Sequence, residues 1–162
     1  MSNFHEETYV YQSKKTPEEI KIVREFIKEV KDDFYPPLTE IVDIDSYVDK
    51  MMASAELFIA KVGDEFAGFL CMYMNDFKNF DAYLTSYAVK PEFRRKYRVA
   101  QKLIKTGIDA AGEVGMKSVK AEIDPKHRRA VMMASKFKPK LIYPEPGSGQ
   151  KSILVDYTIE PK

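Results

Sequence analysis

Apolar residues recur at Ile20, Val23, Ile27, Val30 and Phe34, the spacing of a helix that turns one stripe toward a core. Thr16-Pro17-Glu18-Glu19 stands at its head, with threonine as N-cap, proline at the first helical position and Glu19 where a capping box needs its carboxylate. Pro36-Pro37 closes that segment. A shorter helix is predicted from Ser46 to about Ala53 on Tyr47, Val48, Met51 and Met52. The period then shortens. Thr8–Gln12 reads as a first strand, and Glu56–Val62 and Glu65–Met74 as a hairpin turning at Gly63-Asp64. A strand over Asp81–Lys90 follows, then a helix from about Val99 to Val114 and a strand over Lys117–Ile123. A helix from about Lys126 to Phe137 comes next. Two last strands, Leu141–Tyr143 and Ser152–Ile159, flank the turn PEPGSG.

Composition narrows the class. The 162 residues, 44% of them hydrophobic, suit one domain over 1–162 with a sizeable core, and no linker or repeat divides the chain. The 26 basic and 25 acidic residues nearly cancel, which argues against a dedicated nucleic-acid or membrane-surface binder. The single cysteine, Cys71, excludes an intrachain disulfide framework. With no leader-like start and no apolar run long enough to span a bilayer, a cytoplasmic protein is expected.

Chemistry concentrates between Val89 and Ile104, VKPEFRRKYRVAQKLI. A strand ends at a proline, positive charge follows, and the chain enters an amphipathic helix. Free amides of a first helical turn, the helix dipole and nearby Arg and Lys all favour one anion, so a phosphorylated ligand is the expectation. A solvated charge run is the alternative for the Lys90, Arg94, Arg95, Lys96, Arg98 cluster.

With Val89 and Pro91 ahead of Arg95-Lys96-Tyr97-Arg98-Val99-Ala100, and with this order of elements, the chain resembles the GNAT N-acetyltransferase superfamily. The motif there is Arg/Gln-x-x-Gly-x-Gly/Ala after Val-x-Pro. The resemblance implies an α/β (α+β) fold, a mixed, mostly antiparallel sheet flanked by helices. It also implies acetyl-CoA as co-substrate and transfer of its acetyl group to an amine of a small molecule or protein. Tyr87, Ala88 and Val89 would then face the pantetheine arm, Arg94, Arg95, Lys96, Tyr97, Arg98, Val99 and Ala100 would hold the pyrophosphate, and His127 would join them. Two positions depart from the pattern. Arg98 stands where the motif has glycine, exchanging backbone freedom for a charged fork. Ala134 stands where a tyrosine often protonates the departing thiolate, and Tyr143 is a less favoured substitute.

The general base is left between Glu122 and Asp81, each expected to gain basicity if desolvated. Both also have a structural reading as ion-paired carboxylates. An amide near Val89, freed where the strand bends away, would polarise the thioester. A metal site is not expected, since only His5 and His127 are available. Cys71 reads as core, and the methionines as packing. The acceptor would be built by Phe34–Asp45 and Pro144–Gln150, with Tyr35, Asn75, Asp76 and Tyr87 as candidate lining. A dimer through the terminal hairpin is open. Two other functions stand beside transfer: a degenerate member that binds CoA without turnover, and a basic interaction module.

Overall fold

The threonine-proline signal is realised in a computed structural model that describes residues 7–34, 43–95 and 97–161. Helix α1 runs Pro17–Val30. Thr16 Oγ1 accepts from the Glu19 amide at 3.2 Å, and Glu19 Oε1 accepts from the Thr16 amide at 3.1 Å. A 3-10 turn, Lys31–Asp33, extends it. Helix α2, Ile44–Ser54, starts earlier than its apolar pattern suggests because Asp43 accepts from the Asp45 amide and caps it. His5, Tyr35, Pro36-Pro37 and Lys96 lie outside the described residues.

Seven strands form one sheet: β1 Thr8–Gln12, β2 Glu56–Val62, β3 Glu65–Tyr73, β4 Asp81–Val89, β5 Ser118–Ile123, β6 Lys140–Ile142 and β7 Ile153–Thr158. Their order is β1-β2-β3-β4-β5-β7-β6. Every pairing is antiparallel except β4 with β5. That parallel pair needs a crossover, which helix α3, Val99–Glu113, supplies. Helix α4, Arg128–Ser135, follows β5. It starts later than the sequence suggests because Asp124 Oδ1 takes the Lys126 amide at 2.7 Å and turns the chain first.

Two cores cover the two faces of the sheet. Val99, Leu103 and Ile108 of α3 pack on Phe58, Leu70 and Met72, while Val23 and Ile27 of α1 and Val48 of α2 pack on Leu57, Ile59 and Phe69. Burial of each such Leu, Ile or Phe is worth about 1.5–3 kcal/mol. Helix α3 sits close because it has a glycine where it meets β3: a Cβ on Gly107 would lie 2.9 Å from Met72 Cε. Cys71 is buried among these residues, and burial pushes its thiol up to about 12, so it is packing rather than nucleophile.

Two irregularities in β4 position the site. Cys71 of β3 faces Ser86 while Met72 faces Leu84, so Thr85 is an extra residue, a β-bulge. Pairing of β4 with β5 covers only Asp81–Tyr83 against Ser118–Lys120. Beyond that point the strands part.

Candidate active site

The parting of β4 and β5 opens a cavity of about 920 Å³ lined by Leu84 to Val89, by Ala121 to Ile123 and by residues of α3 and α4. Strand register decides what the β4 backbone offers it. Lys90 donates to Ala67 O at 2.7 Å, and Val89 faces Gly68 in the same register. Donors alternate along an antiparallel strand, so the Ser86 and Ala88 amides belong to β3 while those of Tyr87 and Val89 point to the opened edge. With no β5 partner at that level, they are donors for a ligand.

At the wide end stands the basic turn. Arg98 is the N-cap of α3 with φ 52 and ψ 36, in the left-handed region, and gives no side-chain cap. Arg95 also has positive φ, 76. The helical ladder opens with Lys102 donating to Arg98 O at 3.0 Å, which leaves the Val99, Ala100 and Gln101 amides without helical partners. Those three residues, with Arg95 and Arg98, line the cavity. Aromatic contact fixes the turn from behind: Phe93 is buried and meets Tyr97 edge-on at 5.7 Å, and Thr8 Oγ1 donates to Tyr97 O at 3.1 Å.

Arg94 behaves differently from its neighbours. Its Nε donates to Val89 O at 2.9 Å and its outer nitrogen to Asp33 Oδ2 at 3.1 Å. It lines the cavity, and two of its three guanidinium nitrogens are committed to protein, so it shapes the turn. Asp33 is not legible as its partner from local pattern, because the two lie 61 positions apart.

The narrow end carries the carboxylates. Glu122 lines the cavity on an exposed part of β5, and its Oε2 accepts from the Tyr83 hydroxyl at 2.9 Å. Burial, then that bond, push the Tyr83 phenol up to about 12. Asp81 corrects the sequence reading. It stands outside the cavity lining, where Ser118 Oγ donates to it and Lys120 Nζ lies 3.2 Å away. The Ser118 hydroxyl and, behind it, the Lys120 ammonium hold its carboxyl below the usual range, the reverse of what a base needs. Glu122, for its part, is not buried as expected.

The remaining wall is α4. His127 is half-buried at its start, and burial followed by the Arg129 charge lowers its pKa below the usual 6.5. Ala130, Met133 and Ala134 line the cavity with it. Across from them the Tyr87 phenol is pushed up to about 12, chiefly by burial, with the Arg129 charge opposing. Tyr143 is exposed and outside the lining, and Asn75 and Asp76 also lie outside it. Asp76 instead caps its own turn by accepting the Lys78 and Asn79 amides. No group of His, Cys, Asp and Glu among the described residues is arranged to hold a metal ion.

The chain that builds this split-strand cavity is matched over residues 23–137 by one protein-family model, which describes an acetyltransferase (GNAT) family. The chain belongs to the GNAT family. Solved structures agree in fold. The ribosomal-protein-S18-alanine N-acetyltransferase of Escherichia coli is 12% identical with a TM-score of 0.69, over 96% of each chain. A Bacillus subtilis acetyltransferase in complex with CoA is 14% identical, TM-score 0.65, over 96% of this chain and 100% of that one. The PaiA N-acetyltransferase of Thermoplasma acidophilum, in complex with coenzyme A, is 12% identical, TM-score 0.68, over 93% and 99%. No curated protein matches by sequence. As a GNAT-family domain it contains, among the described residues, no helix long and apolar enough to cross a membrane.

Proposed function

We propose that this GNAT domain is an acetyl-CoA-dependent N-acetyltransferase that moves the acetyl group directly to an amine. The observation that carries the reading is the combination of open α3 amides at one end of the cavity with the free Tyr87 and Val89 amides along it. A ligand with a diphosphate, an amide-bearing arm and a thioester fits that succession, and two of the similar structures hold CoA. Arg95, Arg98 and the amides of Val99, Ala100 and Gln101 would hold the phosphates, while β4 would align the arm as an added strand edge. Lys96 belongs to the same proposal by its position in the sequence.

A thioester is already activated, so alignment supplies much of the acceleration, about 7–11 kcal/mol in the best intramolecular models. The Val89 or Tyr87 amide would polarise the carbonyl oxygen. Glu122, at the end where the acyl group would lie, is the base favoured over Asp81. Tyr87, held protonated by burial, would return a proton to sulfur where Ala134 has none to give. The half-buried His127, neutral at pH 7, would bond the arm.

Calorimetric titration with CoA tests this. The wild type is expected to bind saturably, and Arg95→Ala to lose about 1.5–3 kcal/mol for a charge-assisted bond to phosphate. Absence of binding at millimolar CoA would defeat the proposal.

A further inference from the structure

Beside the point where β4 and β5 part, outside the cavity lining but joined to it through Glu122, stand tyrosines. Tyr73 and Tyr83 are direct partners across β3 and β4. Tyr83 alternates with Ala82 and Leu84, which pack into the α3 core, so its ring stands on the opposite face, the side of α1 and α2. Tyr47 of α2 and Tyr73 both pack against the core on that face, and the Tyr73 and Tyr83 phenols are raised chiefly by burial, with the Tyr47 phenol adding to both. Glu122 shares the face, because Val119 and the cavity-lining Ala121 alternate with it.

Three electron-rich rings and a carboxylate make a surface that attracts cations. The chain brings none of its own to it among the described residues. Lys120, opposite Tyr83 in register, is committed to Asp81 at 3.2 Å. The cations that sit over rings do so elsewhere, Lys90 over Phe66 and Lys117 over Phe80. Glu122 enters no ion pair among the described residues, and with Oε2 bonded to Tyr83 its other oxygen remains open. The other cations of the cavity lining stand elsewhere: Arg94, Arg95 and Arg98 at the phosphate end, and Arg129 and Lys136 on the α4 segment. Met133 and Phe137 of that segment pack on the α3 side of the sheet, so none of these cations is on the tyrosine face to meet an acceptor carboxylate.

We propose that the acceptor is a linear alkylammonium, an amine on a methylene chain with no carboxylate on the carbon bearing nitrogen, seated on Tyr47, Tyr73 and Tyr83 with its nitrogen at Glu122. The inference rests on the acetyl-transfer reading for its chemistry but not for its binding. The ammonium gives one proton to Glu122. Its lone pair then attacks the thioester carbon, the C–N bond forms as the C–S bond breaks, and the second proton reaches the thiolate sulfur. The net products are an amide, a thiol and one proton passed from Glu122 to water. Methylenes lie on ring faces without loss of hydrogen bonds. An α-amino acid would bring its carboxylate against Glu122 and the negative ring faces.

The test is calorimetry with 1,4-diaminobutane, Nα-acetyl-lysine amide, alanine and 1-butanol, on the protein alone and with saturating CoA. Both alkylammonium probes should bind saturably, and alanine and 1-butanol at least about tenfold more weakly. Tyr47→Leu and Glu122→Gln should each weaken alkylammonium binding about 2- to 30-fold while CoA affinity is kept. A tighter fit for diaminobutane points to a small amine as source, and one for the lysine derivative to a protein side chain. Alanine binding as well as diaminobutane, or alkylammonium affinity unmoved by both substitutions, overturns the proposal. If CoA binds and no amine does, the acceptor inference fails alone. If CoA does not bind, the transfer reading fails, and the titration without CoA still judges the cation site.

Discussion

Arg94 ties two distant parts of the chain to one another, its guanidinium bonded to Val89 O at 2.9 Å and to Asp33 Oδ2 at 3.1 Å. One contact fixes the end of β4 and the other the end of the α1 segment, so a single side chain sets how the mouth of the cavity meets the helix layer. The ion pair is partly exposed and contributes little alone. Asp33→Asn is expected to cost under about 1 kcal/mol in urea unfolding. Arg94→Ala also removes the carbonyl's partner and should cost about 1–2 kcal/mol more. Arg94→Lys should not restore it, since one ammonium cannot span both acceptors. Equal stability of the Lys variant and wild type would contradict this geometry.

Arg98 combines a strained backbone with a useful charge. An L-residue in the left-handed region costs about 1–2 kcal/mol that glycine avoids. Arg98→Gly is therefore expected to unfold about 1 kcal/mol later than Arg98→Ala. Both should lose CoA affinity alike, because both lack the guanidinium. Calorimetry and thermal unfolding on the pair separate the two effects, and a Gly variant that keeps full affinity would show that the arginine is not used.

Ala134 leaves space in the cavity wall where the related motif has a tyrosine. Ala134→Tyr is expected to fold, to keep CoA affinity within a few-fold and to raise kcat, by at most about 10²-fold if the phenol acts as general acid. Tyr87→Phe should do the reverse, lowering kcat with little change in CoA affinity. Steady-state kinetics on the two variants decides between them as proton sources. A Tyr87→Phe enzyme with unchanged kcat removes Tyr87 from the role.

His127 gives the fold a pH dependence of definite sign. Its folded pKa lies below the unfolded 6.5, so between those two values the unfolded chain binds more protons. Stability should fall as pH drops below 6.5 and level off once the folded pKa is passed. His127→Gln should flatten that part of a plot of Tm against pH. An unchanged slope would mean the histidine is solvated.

Much of this was written locally. The α1 capping box, the hairpin at Gly63-Asp64 and the turn into α3 are contiguous signals, and each is found where its residues stand. The site needed more. That Asp81 is spent on Ser118 and Lys120, while Glu122 meets Tyr83, follows from a parallel register between strands separated by a whole helix. The Asp33–Arg94 contact crosses the chain in the same way. Thr85 as a bulge could not be read either, since Leu-Thr-Ser-Tyr alternates no worse than its neighbours and only the partner strand reveals the extra residue.

Thr85 is where β4 gives up its straightness. Take out that one residue and Ser86 would follow Leu84 against Cys71 and Met72 in an unbroken ladder, with every later partner kept and Tyr87 still on the α3 face. What would go is the bend and added twist that carry the end of β4 away from β5. The strand would look healthier and would leave a guest no room.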